Sequence, residues 1–241
     1  MPLPKIATPT YSMVLPSTEK EINYRPFLVK EEKLLVLALE SEDTKQITQA
    51  IKAVLKSCVQ TKGIKVESLP TFDIEYLFLN IRAKSIGESI KVIVTCPDDR
   101  KTEVPVTIYV DEIEVSKPEE HTTDIILDKT MTLRMKYPSL NQFIESNFDV
   151  SMTAEETVEK TFKVIADCMD TVFTAEDAWE AKDYTAKERL AFIEQLSSKQ
   201  YKQVENFFST MPKLSHTIEV VNPNTNEKGS VVLEGLADFF G

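Results

Sequence analysis

The stretch "TCPDDRKTEV", Thr95–Val104, and its echo "VVNPNTNEKGSVV", Val220–Val232, decide how this chain is read. Many zinc knuckles open with Cys-Pro at a hairpin tip, and a second cysteine should then stand at position 99. Asp99 stands there instead, and the echo carries Asn222-Pro223 in place of Cys-Pro. A structural zinc site needs four Cys or His ligands in close-spaced pairs. Cys96 is alone at its turn, and His121 and His216 are distant in sequence. The two stretches therefore read as turns: proline fixes φ, and Asp or Asn bonds the backbone that follows. Both keep the outline of a zinc knuckle without its ligands, which fits an ancestral zinc ribbon now held by turn chemistry. No metal and no cofactor is expected.

Working outward, the hairpin tips imply strands on either side. "SIKVIVTC", "EVPVTIYV" and "DEIEV" alternate or are β-branched, and Pro105 inside a strand argues for an edge position. "TTDIILD" and "MTLRMKYP" predict another hairpin around Asp128-Lys129, and "HTIEVV" with "SVVLEG" form the last one. Elsewhere the period is helical. Phe27–Ser41 holds Leu34–Leu39, apolar all round, so this helix is expected to be buried on most sides. Ile47, Ala50, Ile51, Val54, Leu55 and Cys58 form one stripe of the next helix. A third helix lies between Pro70 and Gly87. Past Tyr137-Pro138 a short helix is expected over Leu140–Asn147 and a longer one over Ala154–Val172, with Val158, Phe162, Ile165, Cys168, Met169 and Val172 on one face. "TAKE", Thr185–Glu188, has capping-box spacing and starts the next, and a last helix stops at Met211-Pro212.

The fold class is α+β: a helical body with a mainly antiparallel strand-rich subdomain and a C-terminal β-hairpin. The expected divisions are an extended Pro-rich arm (1–20), an N-terminal helical part (21–88), a strand-rich part (89–137), an acidic helical part (138–212), and the C-terminal hairpin with its hydrophobic tail (213–241). The arm has four prolines in its first 16 residues. Residues before about Lys20 are expected to make few contacts with their own chain. Ile51, Leu55, Leu77, Phe162, Ile165 and Ile193 are expected in the core.

Composition narrows the function. The formal charge is −11, and between Leu140 and Gln200 there are 13 Asp/Glu against 6 Lys/Arg, so −7 of it lies in one segment. Such a surface repels phosphate backbones and argues against nucleic-acid binding. No apolar run is long enough to insert into a membrane. Three widely spaced cysteines, Cys58, Cys96 and Cys168, suit a reducing compartment rather than a disulfide framework. Neither GxGxxG nor GxxxxGK[ST] occurs, and the two histidines sit in no recognisable catalytic signature. The acidic pairs Glu119-Glu120 and Glu155-Glu156 read as solvated rather than as a catalytic acid and base. The expectation is a protein without enzymatic activity.

Four stretches together carry a family resemblance: "YRPFLVKEEKLLVLALES" (Tyr24–Ser41), "LPTFDIEYLFLNIRAKSIGE" (Leu69–Glu88), "MKYPSLNQF" (Met135–Phe143) and "FFSTMPKLSHTIEVVNPNTNEKGSVVLEGLADFF" (Phe207–Phe240). They resemble the baseplate hub proteins of T-even-type contractile-tailed bacteriophages. The resemblance runs over nearly the whole chain, apart from the first 20 residues and the acidic block Ala175–Asp183. It implies a virion protein of the tail baseplate, assembled in host cytoplasm among other baseplate and hub subunits, with a second copy of the chain as a further candidate partner. Family members are hub subunits or hub-assembly proteins, and the family offers no catalytic residue to carry over.

Three roles compete. One is a structural hub component acting through protein–protein interfaces. The second is a transient hub-assembly chaperone not retained in the virion. The third is a tail-associated hydrolase, for which the sequence supplies neither a carboxylate pair in a sugar cleft nor a metal-bound water. The candidate interaction residues are Tyr24, Arg25, Pro26 and Phe27, then Phe72, Tyr76 and Phe78 from a helix with more apolar surface than one core face needs, and Leu236, Phe239 and Phe240 from the tail "LADFFG". Two outcomes are open for that tail: it folds back to cap its own hairpin, or it docks into a neighbour as an aromatic anchor.

Overall fold

The computed structural model describes residues 6–41, 43–139, 154–235 and 238. The helix expected over 140–147 and the tail positions Leu236, Phe239 and Phe240 lie outside the described residues. The fold is mixed α+β with several small antiparallel sheets and the expected C-terminal hairpin. The chain divides into two units: Met1–Ser116 with Lys213–Gly241, and Lys117–Pro212. The strand-rich segment 89–137 is thus not one body. Its strands up to Ser116 belong to the first unit, and those after it to the second. The reason is pairing. Strand β5 (Glu114–Ser116) takes its ladder from β10 (Lys213–Val221), with Lys213 opposite Ser116, about a hundred residues along the chain.

The first unit begins with strands where an arm was expected. Strand β1 (Tyr11–Val14) pairs antiparallel with β2 (Glu21–Tyr24), with Tyr11 opposite Tyr24. Leu15 is 1% exposed. The Ser17 N–H donates to Asp73 Oδ1 at 2.9 Å, and its hydroxyl donates to Asp73 Oδ2. Pro2, Pro4, Pro9 and Pro16 set the arm reading, but all four fall outside the ladder residues of β1, so they do not interrupt it.

Three helices follow. Helix α1 (Val29–Glu40) and α2 (Thr44–Cys58) pack on each other, and α2 turns Val54, Leu55 and Cys58 inward, with Ile51 partly covered. Helix α3 (Thr71–Ile86) is the axis of the unit. It is apolar on nearly every side, and Phe72, Ile74, Leu77, Phe78, Leu79, Ile81 and Ala83 are all buried. One side, Leu79 and Ala83, packs on the sheets: β3 (Ser89–Thr95), β4 (Glu103–Tyr109), β5, β10 and β11 (Lys228–Glu234). Its surplus apolar surface is covered by its own unit.

Helix α1 departs from expectation in the other direction. Only Glu31 and Ala38 are buried, whereas Leu34, Val36, Leu37 and Leu39 are 41–56% exposed and Val29 is 79% exposed. A helix with one packed neighbour buries one stripe, however apolar the rest of it is.

Among the described residues, the second unit has a four-stranded antiparallel sheet, β6-β7-β8-β9, and three helices. Strands β6 (Asp124–Ile126) and β7 (Thr132–Met135) form the hairpin foreseen around Asp128-Lys129. Helix α4 (Ala154–Asp167) ends earlier than its apolar pattern suggested. Met169 and Val172 sit on strand β8 (Met169–Phe173), where Val172 faces Leu133 of β7. A strand residue at a helix-like interval kept the apolar rhythm going past the true end. Strand β9 (Ala178–Glu180), inside the acidic block, completes the sheet. Helices α5 (Ala186–Glu194) and α6 (Ser198–Thr210) both start on capping boxes, Thr185/Glu188 and Ser197/Gln200. The core joins Leu133, Met135, Ile165, Cys168, Met169, Val172, Ile193, Val204 and Phe207, with Phe162 half-covered and stacked on Tyr201 at 5.3 Å.

His121 is built into this unit. It is 8% exposed and stacks on Tyr137 and Phe207 at centroid distances of 5.6 and 5.3 Å. The Thr210 hydroxyl donates to the Asn206 carbonyl at 2.8 Å, so it accepts from His121 Nδ1–H at 2.9 Å. His121 Nε2 lies 2.9 Å from the Tyr137 hydroxyl, whose hydrogen bond a neutral ring accepts. Burial first, and then the nearby charge of Lys117, hold its pKa below the ordinary imidazole value.

Two outcomes follow from this packing. Deleting residues 1–20 removes β1, Leu15 and the Ser17 donors to buried Asp73, so it is expected to lower the denaturation midpoint of the protein. An unchanged midpoint and slope would restore the free-arm reading. For His121 the native pKa lies below the unfolded value of about 6.5. Its contribution is fully present above that value and is lost as pH falls through it toward the native pKa, because only the unfolded ring gains a proton there. Urea melts of wild type should therefore weaken between pH 7.5 and 5 more steeply than those of His121→Gln, and parallel pH profiles would disprove this.

Candidate functional site

The two knuckle-like turns meet. In each, the first residue's carbonyl accepts from the N–H four residues on: Arg100 to Cys96 at 3.0 Å, and Asn226 to Asn222 at 2.8 Å. Arg100 and Asn226 both have positive φ, 54° and 60°, a conformation that Asn tolerates and Arg does not favour. In each, too, the first residue's N–H donates across the hairpin neck, Cys96 to Thr102 at 2.8 Å and Asn222 to Glu227 at 2.9 Å. The turns thus share the i+4 closure and its positive-φ residue, and the Cys96 turn is one residue longer at its neck.

What joins them is a carboxylate. Asn222 is 1% exposed, and its Nδ2 donates to both oxygens of Asp98, at 3.0 and 2.9 Å. The Thr225 hydroxyl donates to Asp98 Oδ2 at 2.7 Å, and Asn224 Nδ2 donates to the Thr102 hydroxyl at 3.0 Å. The hydrogen bonds from Thr225 and then Asn222 hold the Asp98 carboxyl below the ordinary range. Asp99, where a zinc ligand would stand, turns to its own loop. It accepts the Lys101 and Thr102 N–H groups at 2.9 Å each and the Thr102 hydroxyl at 2.5 Å, which puts its pKa well below the usual value. Cys96 is 1% exposed, and burial with the neighbouring Asp98 and Asp99 pushes its thiol up. Among the described residues no group of three or more His, Cys, Asp or Glu is placed to hold a metal ion. A carboxylate-amide clasp joins the two turns.

The residues expected to form an interaction surface are mostly inside. Tyr24 is 2% exposed, Phe27 9%, Phe72 3% and Phe78 6%, Pro26 is buried, and Tyr76 packs half-covered against the core under the sheets. Arg25 is an internal tie. Its guanidinium donates to Glu31 Oε1 at 2.9 Å and to the Pro26 carbonyl at 2.8 Å, while the Leu28 N–H donates to Glu31 Oε2 at 2.7 Å. Burial alone would raise the Glu31 pKa, but the bonds from Arg25 and Leu28 outweigh it and hold the carboxyl below the usual range. "YRPF" thus anchors the start of α1.

The chemistry-bearing groups are muted in the same way. Burial pushes the Cys58 thiol up to about 11 and the Cys168 thiol up to about 12, so neither is a thiolate near neutral pH. Both nitrogens of His121 are engaged, and His216 Nδ1 faces the Glu112 carbonyl at 3.0 Å. No helix among the described residues is long and apolar enough to cross a membrane. The feature the sequence reading missed is the outer face of α1. Its signal was present in "KEEKLLVLALE", an apolar run interleaved with too few small residues to pack on all sides.

The mixed α+β chain thus directs its polar turns to its own hairpins and leaves one helix with an apolar outer face. The family model of the T4 bacteriophage base plate protein matches residues 8–241, and the chain belongs to that family. No curated protein and no solved structure matches it.

The clasp depends on a close approach. A Cβ at Gly229 would lie 2.4 Å from Cγ of Pro97, a contact the rigid ring cannot relieve by rotating. Gly229→Ala is therefore expected to cost about 1–3 kcal/mol by overpacking in a urea melt. A cost within about 0.5 kcal/mol, the ordinary range for a surface change, would show that the turns do not need to touch.

Proposed function

We propose that this chain is a non-enzymatic structural component of the phage baseplate hub, retained in the tail and acting through protein–protein interfaces. Its partners on this reading are other baseplate and hub subunits, met during assembly in the host cytoplasm. Membership of the base plate family supports the tail, and the hub is the finer step. The observation that carries the interface role is helix α1, where Val29, Val36 and Leu37 are exposed on the outward face and Leu34 and Leu39 on its two flanks. A soluble surface does not keep five large aliphatic side chains on twelve residues of helix without something to cover them. The acidic balance of −11 disfavours a genome-binding role.

Mass spectrometry of purified particles tests this reading. Stoichiometric peptides of the chain in finished tails are expected. Peptides found only in precursor hub complexes would make it a departing assembly chaperone, and cell-wall hydrolysis by the purified protein would make it a tail hydrolase.

A further inference from the structure

We infer that strand β3 is a self-association edge: two copies of the chain pair through it, antiparallel, about a two-fold axis at Ile93, and merge their β3-β4 hairpins into one sheet. The ladder decides which backbone groups are free for this. The Cys96 N–H donates to the Thr102 carbonyl, and the Val110 N–H donates to the Glu88 carbonyl. In the same register Ile90 faces Ile108, Val92 faces Val106 and Val94 faces Val104, so the even-numbered residues of β3 bond to β4. Ser89, Lys91, Ile93 and Thr95 turn their N–H and C=O groups the other way. Among the described residues, none of these groups has a hydrogen-bond partner.

The two edges of this hairpin are treated differently. Pro105 of β4 faces Ile93 at a position whose nitrogen points to the open side, so the β4 edge lacks a donor at its middle. Strand β3 runs seven residues with neither proline nor bulge. A long, regular, unpaired edge is a template for another strand. The side chains single out its centre. Ile93 is 71% exposed, the most exposed large apolar residue on any strand among the described residues, and exposed Pro105 lies beside it.

Hydrogen-bond parity and side chains select the occupant. A strand added antiparallel must set its own outward-bonding residues opposite the odd-numbered residues of β3. Strand β3 meets this condition with itself. With Ile93 opposite Ile93 of the second copy, Lys91 falls opposite Thr95 and Thr95 opposite Lys91, and each pair exchanges two backbone bonds. The next pair sets Ser89 opposite Pro97, which has no N–H, so the ladder ends there. Lys91 is the one charged residue of the strand, so no like charges stand opposite each other. On the exposed face the row Pro105, Ile93, Ile93, Pro105 becomes continuous across the joined sheet, and Val92 meets Val94 of the second copy on the buried face. An axis at Val92 also satisfies parity, but it leaves each Ile93 against a lysine and brings the two Lys91 side chains onto one diagonal. An unrelated strand would have to match both the parity and the apolar centre; a second copy carries both. The inference is independent of where in the tail the chain resides, because it concerns the purified protein alone.

Sedimentation velocity of the full chain from about 1 to about 200 μM tests it, with circular dichroism to show that each variant is folded. Wild type should pass from monomer to dimer over this range. Ile93→Lys sets two ammonium groups together on the axis and should stay monomeric throughout. Thr95→Glu faces Lys91 of the other copy twice and should tighten the dimer several-fold at low salt. Cross-linking reads the register. Cys58, Cys96 and Cys168 are buried, so the thiol introduced by Ile93→Cys is the accessible one, and mild oxidation should give a disulfide-linked dimer. Lys91→Cys should not, because its two copies stand four residues out of register, about 13 Å apart, beyond the reach of a disulfide. A wild-type protein that stays monomeric at the highest concentration overturns the proposal. So does a dimer indifferent to Ile93→Lys, which would place association on another surface. A dimer weakened by Thr95→Glu, or cross-linked as readily through Lys91→Cys as through Ile93→Cys, overturns it too. Should Ile93→Lys fail to fold, Thr95→Glu and the cross-linking pair decide.

Discussion

The first unit depends on one contact: the carboxylate of Asp98 gripped by Asn222 and Thr225 from the other hairpin turn. It joins two segments more than a hundred residues apart and closes the β3-β4 hairpin onto the β10-β11 hairpin. A metal would do the same work with four ligands and a large binding free energy. Here the ionised acid supplies the attraction, and charge-assisted hydrogen bonds are stronger than neutral ones. The arrangement also asks for geometry that only certain residues allow. Gly229 must lack a side chain so that Pro97 can sit against it, and each turn must admit a residue at positive φ.

With the hairpins joined, α3 packs against both of them. This explains the aromatic content of the helix. Leu79 and Ala83 face the sheets, and the remaining apolar positions are covered by the rest of the same unit, including the N-terminal strands through Ser17 and Asp73. Asp73 is fully buried, and burial raises its pKa, so the two Ser17 donors are what make its position tolerable. The cost of placing α3 at the centre is that α1 is left at the margin, resting on α2 through one stripe. The apolar surface of the unit is thus concentrated on the helix least needed for its own core.

The second unit uses a different economy. Its sheet is held by ordinary ladders, with Arg134 of β7 clamping Asp124 of β6 across the hairpin at 2.6 and 2.9 Å, and among the described residues its buried polar side chain is the His121 imidazole. His121 is sandwiched between aromatic rings and bonded at both nitrogens, so a histidine that might have looked available for chemistry is part of the core. Strand β9, with exposed Trp179, runs through the acidic block Ala175–Asp183.

The sequence by itself determined the local devices. Asp98 and Asn222 beside prolines meant turns, Thr185/Glu188 meant a helix start, alternation over Ser89–Thr95 meant a strand, and the acidic charge argued against nucleic acid. The class of fold and the four stretches resembling baseplate proteins were also legible, because each depends on residues close together in the chain. Tertiary structure decided what was covered. Whether Phe72 or Leu37 faces solvent depends on which elements lie against them, and those arrive from distant segments: β1 from within a proline-rich stretch, and β5 pairing with β10 from the far end of the chain. Period and composition report that a face is apolar. Only the packed neighbours, brought by pairing at long sequence separation, report whether it is a core or a surface.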